Sequence, residues 1–172
     1  MNTAIVALTT LVAVLGGALG WTWWARRPPK RLPVRKDGRR ILVPFAGSLD
    51  PSVLEAAIRI ARAEDAVLIP AYLLLVPLQY AEDSPLREQV KLAMPLLEAV
   101  ERAALKAGVP VDARIEKGRT LTHAVKRLWE VEDFDRIVAP APPPGREGFT
   151  PKELTWLLTN APTETVVLKP AA

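Results

Sequence analysis

The stretch Arg40-Ile-Leu-Val-Pro-Phe-Ala-Gly-Ser-Leu-Asp-Pro-Ser-Val53 decides the fold, because its hydrophobic period changes partway along. Residues 40–45 form a short apolar run ending in Gly47-Ser48, whereas Val53, Leu54, Ala57, Ile58 and Ala61 recur at helical spacing. The pattern predicts strand, turn, helix. Asp50 is placed to cap that helix, and Pro51 suits its first position, where a missing N–H leaves no intrahelical partner unserved.

The same alternation continues downstream. Residues 66–76 are apolar nearly throughout, as expected of a central strand buried on both faces of a parallel sheet. Residues 84–107 read as a long helix, with Ser84-Pro85 at its start and Gly108 just past its end. Pro95 lies inside it and predicts a kink or break near Ala93, since proline removes a helix hydrogen bond and crowds the preceding turn. Residues 109–115 alternate like a strand, 120–131 like a helix capped by Thr120, and 136–139 like another buried strand. After a proline-rich loop at 140–144 come a short helix at 151–160 and a last strand at 163–169. This order predicts an α/β fold, a Rossmann-like five-stranded parallel sheet with helices on both faces. Ligands of such sheets sit outside the carboxyl ends of the strands, where the strand order reverses. The loops 46–52 and 140–150 are therefore expected to meet and form the site.

Upstream the chain changes character. Residues 1–25 carry no charged side chain, and the next fifteen carry eight Lys or Arg. The twenty-two residues from Thr3 to Trp24 would span about 33 Å as a helix, enough for one membrane crossing. Trp21, Trp23 and Trp24 fall at its edge, where indoles favour the headgroup interface. The basic collar Arg26–Arg40 follows, suited to anionic headgroups, and its charge predicts a cytoplasmic side for everything after it. Residues 1–25 thus read as one transmembrane helix, 26–38 as a basic, proline-rich juxtamembrane linker, and 39–172 as the folded domain. The expected location is the cell inner membrane or plasma membrane, single-pass, with the N-terminus outside. A cleaved signal peptide is the competing reading, but its positive charge belongs before the apolar run rather than after it.

Composition narrows the function further. Net charge is +4, of which the collar supplies +7, leaving the domain at −3. The basic balance belongs to the collar, which removes the ground for nucleic-acid binding. With no cysteine and one histidine, disulfides, thiolate nucleophiles, Cys-ligated zinc and histidine-rich metal sites are excluded. The high Ala, Arg and Pro content fits a high-GC bacterial genome.

The domain resembles the universal stress protein family across residues 39–170, within the wider adenine nucleotide alpha hydrolase-like group. Ile41-Leu-Val-Pro-Phe-Ala-Gly-Ser48 is similar to that family's opening I-L-V-P-x-D-G-S, Asp135-Arg-Ile-Val138 to its D-x-I-V strand, and Asn160-Ala-Pro-Thr-Glu-Thr-Val-Val-Leu-Lys-Pro170 to its A-P-C-P-V-x-V-V ending. In ATP-binding members of the family, an acidic residue ends the first strand and G-x2-G-x9-G-(S/T) follows the fourth. Glycines there let backbone N–H groups approach phosphate oxygens at a helix N-terminus.

This chain departs from that pattern. Ala46 stands at the acidic position. Gly145-Arg-Glu-Gly148 supplies the first G-x2-G, but nine residues on stand Leu158-Thr159, and alignment from the Ala161-Pro162 end places Pro151-Lys152 at the Gly-Ser position. The resemblance leaves Gly47, Ser48, Gly145, Gly148, Thr150 and Lys152 as a reduced nucleotide site. The plainer reading has the glycines turn the chain and Thr150-Pro151 start a helix. A second resemblance, of residues 45–53 to the S-G-G-x-D-S loop of PP-loop ATP pyrophosphatases, departs at Ser48 and Pro51.

Other candidates carry less. His123 has no nucleophile placed beside it by sequence, and Glu82-Asp83 and Glu130, Glu132, Asp133 and Asp135 read as solvated charge. Trp129 and Trp156 read as core. The sequence therefore leads to a membrane-anchored regulatory or docking module and not an enzyme. No cofactor is expected, although ATP remains open, and a transporter or other membrane protein is the expected partner. The family resemblance implies a homodimer through Thr165-Val-Val-Leu168. An ATP- or AMP-responsive switch is the alternative, and a pyrophosphatase the third reading.

Overall fold

The computed structural model describes residues 38–141 and 145–170. The expected transmembrane helix at 1–25 and nearly all of the basic linker lie outside the described residues. Among the described residues no helix is long and apolar enough to cross a membrane.

The elements in chain order are β1 (Arg40–Phe45), α1 (Pro51–Ala63), β2 (Val67–Leu75), α2 (Arg87–Lys106), β3 (Arg114–Gly118), α3 (Leu121–Val131), β4 (Arg136–Pro140), α4 (Pro151–Asn160) and β5 (Glu164–Leu168). All pairings are parallel, in the order β3-β2-β1-β4-β5. The order reverses between β1 and β4, the switch point that the sequence pattern required.

Alternation along each strand builds two cores. Leu42, Ile69, Leu73 and Ile137 pack on one face with Leu121, Val125 and Leu128 of α3 and Leu157 of α4. Ile41, Val43, Leu68 and Val138 pack on the other with Ala57, Ile58 and Ala61 of α1 and Ala104 of α2. Full burial of a side chain such as Leu42 contributes about 1.5–3 kcal/mol, and coverage on both faces explains the nearly unbroken apolar runs.

β3 differs from expectation: it spans Arg114–Gly118 instead of residues 109–115. Leu68 N donates to Pro110 C=O at 2.9 Å, and Leu68 C=O accepts from Asp112 N at 3.0 Å, so Val111 makes a lone bridge to Leu68. The next donor on that edge of β2 would be residue 70, a proline with no N–H. The ladder lapses there and resumes in the same register at Ala71↔Arg114.

Two further boundaries moved. α2 begins at Arg87 rather than Ser84, after Leu86 in a left-handed conformation (φ 34°). It then runs without a break through Pro95 to Lys106, so of the kink or break expected near Ala93 the break does not occur. Proline deprives the Lys91 carbonyl of its donor, but Lys91 and Pro95 are exposed, so water can serve that carbonyl.

Charge is concentrated at the amino ends of the strands. Arg40 pairs with Glu132 at 2.5 Å, and Arg114 with Asp112 at 2.7 Å and Glu132 at 3.1 Å. Arg136 bridges Glu64 and Glu164. The Asp112 hydrogen bond raises the Arg114 pKa, and the Glu164 hydrogen bond raises that of Arg136. Glu132 and Asp135, read as solvated charge, also have partners in the fold: half-buried Glu132 pairs with Arg40 and Arg114, and the exposed Asp135 carboxylate accepts from Arg40 N at 2.7 Å.

Candidate functional site

Two prolines set the floor of the site. Arg39 C=O accepts from Val67 N at 2.8 Å, so even-numbered residues of β1 turn their backbone groups toward β4. The β1–β4 register ends at Leu42↔Ile137. The next two bonds would be donated by the nitrogens of Pro44 and Pro140, which carry no hydrogen. Pairing therefore stops where the crevice starts.

The loop after β1 is held by Asp50. Its Oδ1 accepts from Ser52 N at 2.9 Å and from Ser52 Oγ at 2.7 Å, capping α1 as the sequence predicts. The Ser52 hydroxyl bond, then the Ser52 N–H and the nearby Arg146 charge, hold the Asp50 pKa below the usual carboxylate value. Gly47 turns this loop at φ 66°.

The loop after β4 turns at Gly145 (φ 82°) and Gly148 (φ 144°) and ends in a capping box. Thr150 Oγ1 accepts from Glu153 N at 3.3 Å, while Glu153 Oε2 accepts from Thr150 N at 2.7 Å and Thr150 Oγ1 at 2.8 Å. The α4 N-terminus thus carries its own carboxylate where an external anion would otherwise be drawn.

The two loops meet. Ala46, Ser48 and Asp50 face Pro140, Arg146 and Glu147 across a cavity of about 20 Å³, which holds about one water and no phosphate. Glu147, itself exposed, stands directly over Gly47. A Cβ added to Gly47 would lie 2.7 Å from both its Cβ and its Oε2.

Open volume lies beside this junction, above the carboxyl end of β2. A cleft of about 410 Å³ is lined by Tyr72, Leu74, Leu75, Gln89, Leu92 and Leu121, with Gly47, Glu147 and Gly148 on the loop side. Phe45 meets Tyr72 edge to face at 5.5 Å and 89°, which orients the Tyr72 ring.

Of the residues singled out from sequence, Gly47, Ser48 and Gly148 line the junction or the cleft. Gly145 is exposed with open space around it, Thr150 is committed to the cap, and Lys152 is exposed on the first turn of α4. Sequence reasoning missed Glu147, Arg146, Tyr72 and Leu92. The first two sit inside Gly145-Arg-Glu-Gly148 and were overlooked because only its glycines were weighed.

His123 Nδ1 lies 3.0 Å from Glu82 Oε1, giving it a carboxylate partner. Trp129 and Trp156 stack at 5.6 Å and 15° and pack against the core on the α3–α4 side.

No family model matches the sequence, and no curated protein matches it. Solved structures do. A universal stress protein family structure from Burkholderia pseudomallei superposes with a TM-score of 0.55 at 18% identity, over 76% of this chain and 96% of the other. The Arabidopsis thaliana universal stress protein with AMP bound gives 0.57 at 16%, over 78% and 93%. The Archaeoglobus fulgidus universal stress protein in complex with dAMP gives 0.58 at 14%, over 75% and 96%. Sheet order, switch point and these superpositions agree, and the chain carries the universal stress protein fold.

Proposed function

We propose that this protein is a membrane-anchored regulatory or docking module, not an enzyme, that holds a universal-stress-protein-like domain at the cytoplasmic face and has lost most or all ATP binding. The observation that carries the loss of ATP binding is the junction of the two loops. A triphosphate needs room and converging backbone donors or cations. The cavity between the loops is about 20 Å³, lined by the carboxylates of Asp50 and Glu147 and, among the described residues, the single cation Arg146, and the N-terminus of α4 is served by its own Thr150–Glu153 capping box. The apolar segment 1–25 and the collar Arg26–Arg40 support the address. A transporter or other membrane protein is the partner this address favours. Homodimerisation through Thr165–Leu168 fits a half-exposed edge strand that otherwise lacks protection.

The natural lack of cysteine makes the topology directly testable. Single cysteines placed at Asn2 and Lys169 are predicted to react with a membrane-impermeant maleimide from opposite sides of intact cells. Labelling of both from the same side overturns the topology.

The second reading, a nucleotide-responsive switch, is favoured by the AMP and dAMP bound in two similar structures. It predicts a thermal shift of this protein with AMP. The PP-loop reading is weakened because Asp50, the acid of that motif, is spent on capping α1.

A further inference from the structure

We propose that the cleft above the carboxyl end of β2 is a receptor site for a small organic amine, with an apolar or aromatic body on Tyr72, Leu75, Leu92 and Leu121 and its ammonium on the Glu147 carboxylate. The proposal rests on the reading that the junction of the two loops holds no triphosphate. It adds what the carboxylate there is for.

The volume of about 410 Å³ lies in the range of small-molecule sites. The walls are mostly apolar, and two of their leucines stand open to solvent: Leu75 is 49% exposed and Leu92 is 74% exposed. Leucines so open around a concavity mark a surface made to be covered.

Charge selects the occupant. Among the residues lining the cleft, Glu147 alone is ionic. It is seated by Gly47, whose missing side chain leaves room for the Glu147 Cβ and Oε2. No Lys, Arg or His among the described residues pairs with it. A carboxylate without a cationic partner at the mouth of an apolar cleft repels phosphate and carboxylate ligands and attracts ammonium through a charge-assisted hydrogen bond. Tyr72, held by Phe45, adds a ring face that stacks on an aromatic body or meets a cation.

The test uses full-length protein in phosphatidylcholine nanodiscs, with empty nanodiscs subtracted, and three probes of one shape: 2-phenylethylamine, 2-phenylethanol and 3-phenylpropionate. Ligand-observed NMR titration should show saturable binding of the amine, weaker binding of the alcohol and none of the acid. Glu147→Gln should weaken the amine by about tenfold and leave the alcohol unchanged, and Leu92→Ser should weaken both. Equal binding of amine and alcohol, an amine affinity indifferent to Glu147→Gln, or no saturation by any probe overturns the proposal. A parallel ATP titration separates the failures: ATP binding would overturn the underlying reading, whereas silence toward both ATP and amine would overturn only this inference.

Discussion

Glu147 lies so close over Gly47 that a Cβ at position 47 would stand 2.7 Å from its Cβ and from a carboxylate oxygen. The contact joins the loops after β1 and β4 at the switch point, where ligands of such sheets bind, and it puts a carboxylate there.

Gly47→Ala should destabilise the domain in two separable ways. A non-glycine residue at φ 66° costs about 1–2 kcal/mol, and displacement of Glu147 adds to it. Urea unfolding of Gly47→Ala, and of Gly47→Ala with Glu147→Gly measured against Glu147→Gly alone, checks this, because only glycine at 147 removes the Cβ that the new side chain meets. The double variant should recover the contact part and retain the backbone part.

Thr150→Ala removes one half of the capping box on α4 and should cost about 1 kcal/mol, seen as a lower urea midpoint with unchanged slope. An unchanged midpoint would mean that the cap is not formed in solution.

The Asp50 cap should be sensitive to acid. Its folded pKa is held below the ordinary 3.8, chiefly by the Ser52 hydroxyl, so the native state binds the proton less readily than the unfolded chain does. The stabilisation is then fully present above that ordinary value and is lost as pH falls through the folded value. The stability difference between wild type and Asp50→Ala should stay constant from neutral pH to about pH 5 and shrink below about pH 4.

Pro70→Ala should restore a donor to the β2–β3 ladder opposite the Asp112 carbonyl. Hydrogen exchange at the new amide should be slowed to the level of its β2 neighbours. Exchange at the free-peptide rate would show that the lapse at 112–113 has another cause.

That lapse also shows what the sequence could not disclose. The β1–α1 turn was legible because Asp50, Ser52 and Pro51 act on one another locally. The start of β3 was not, because its ladder is cut by a proline on a different strand. Pro95 misled in the opposite sense: a break depends on whether the orphaned carbonyl meets water, which is a matter of which face turns outward. In the site, the glycines were legible by their spacing. The approach of Glu147 to Gly47 was not, since it depends on two loops being brought together by the whole sheet. Tyr72, Leu75 and Leu92 were hidden for the same reason, being read as strand and helix before any cleft existed to hold them.

The central claim is that this domain keeps the fold while closing the triphosphate cradle. Its most direct test is calorimetric titration of magnesium-ATP into the full-length protein in nanodiscs. No saturable heat up to about 1 mM ATP is predicted, whereas a one-site isotherm with a Kd of about 10 µM or tighter would contradict the account.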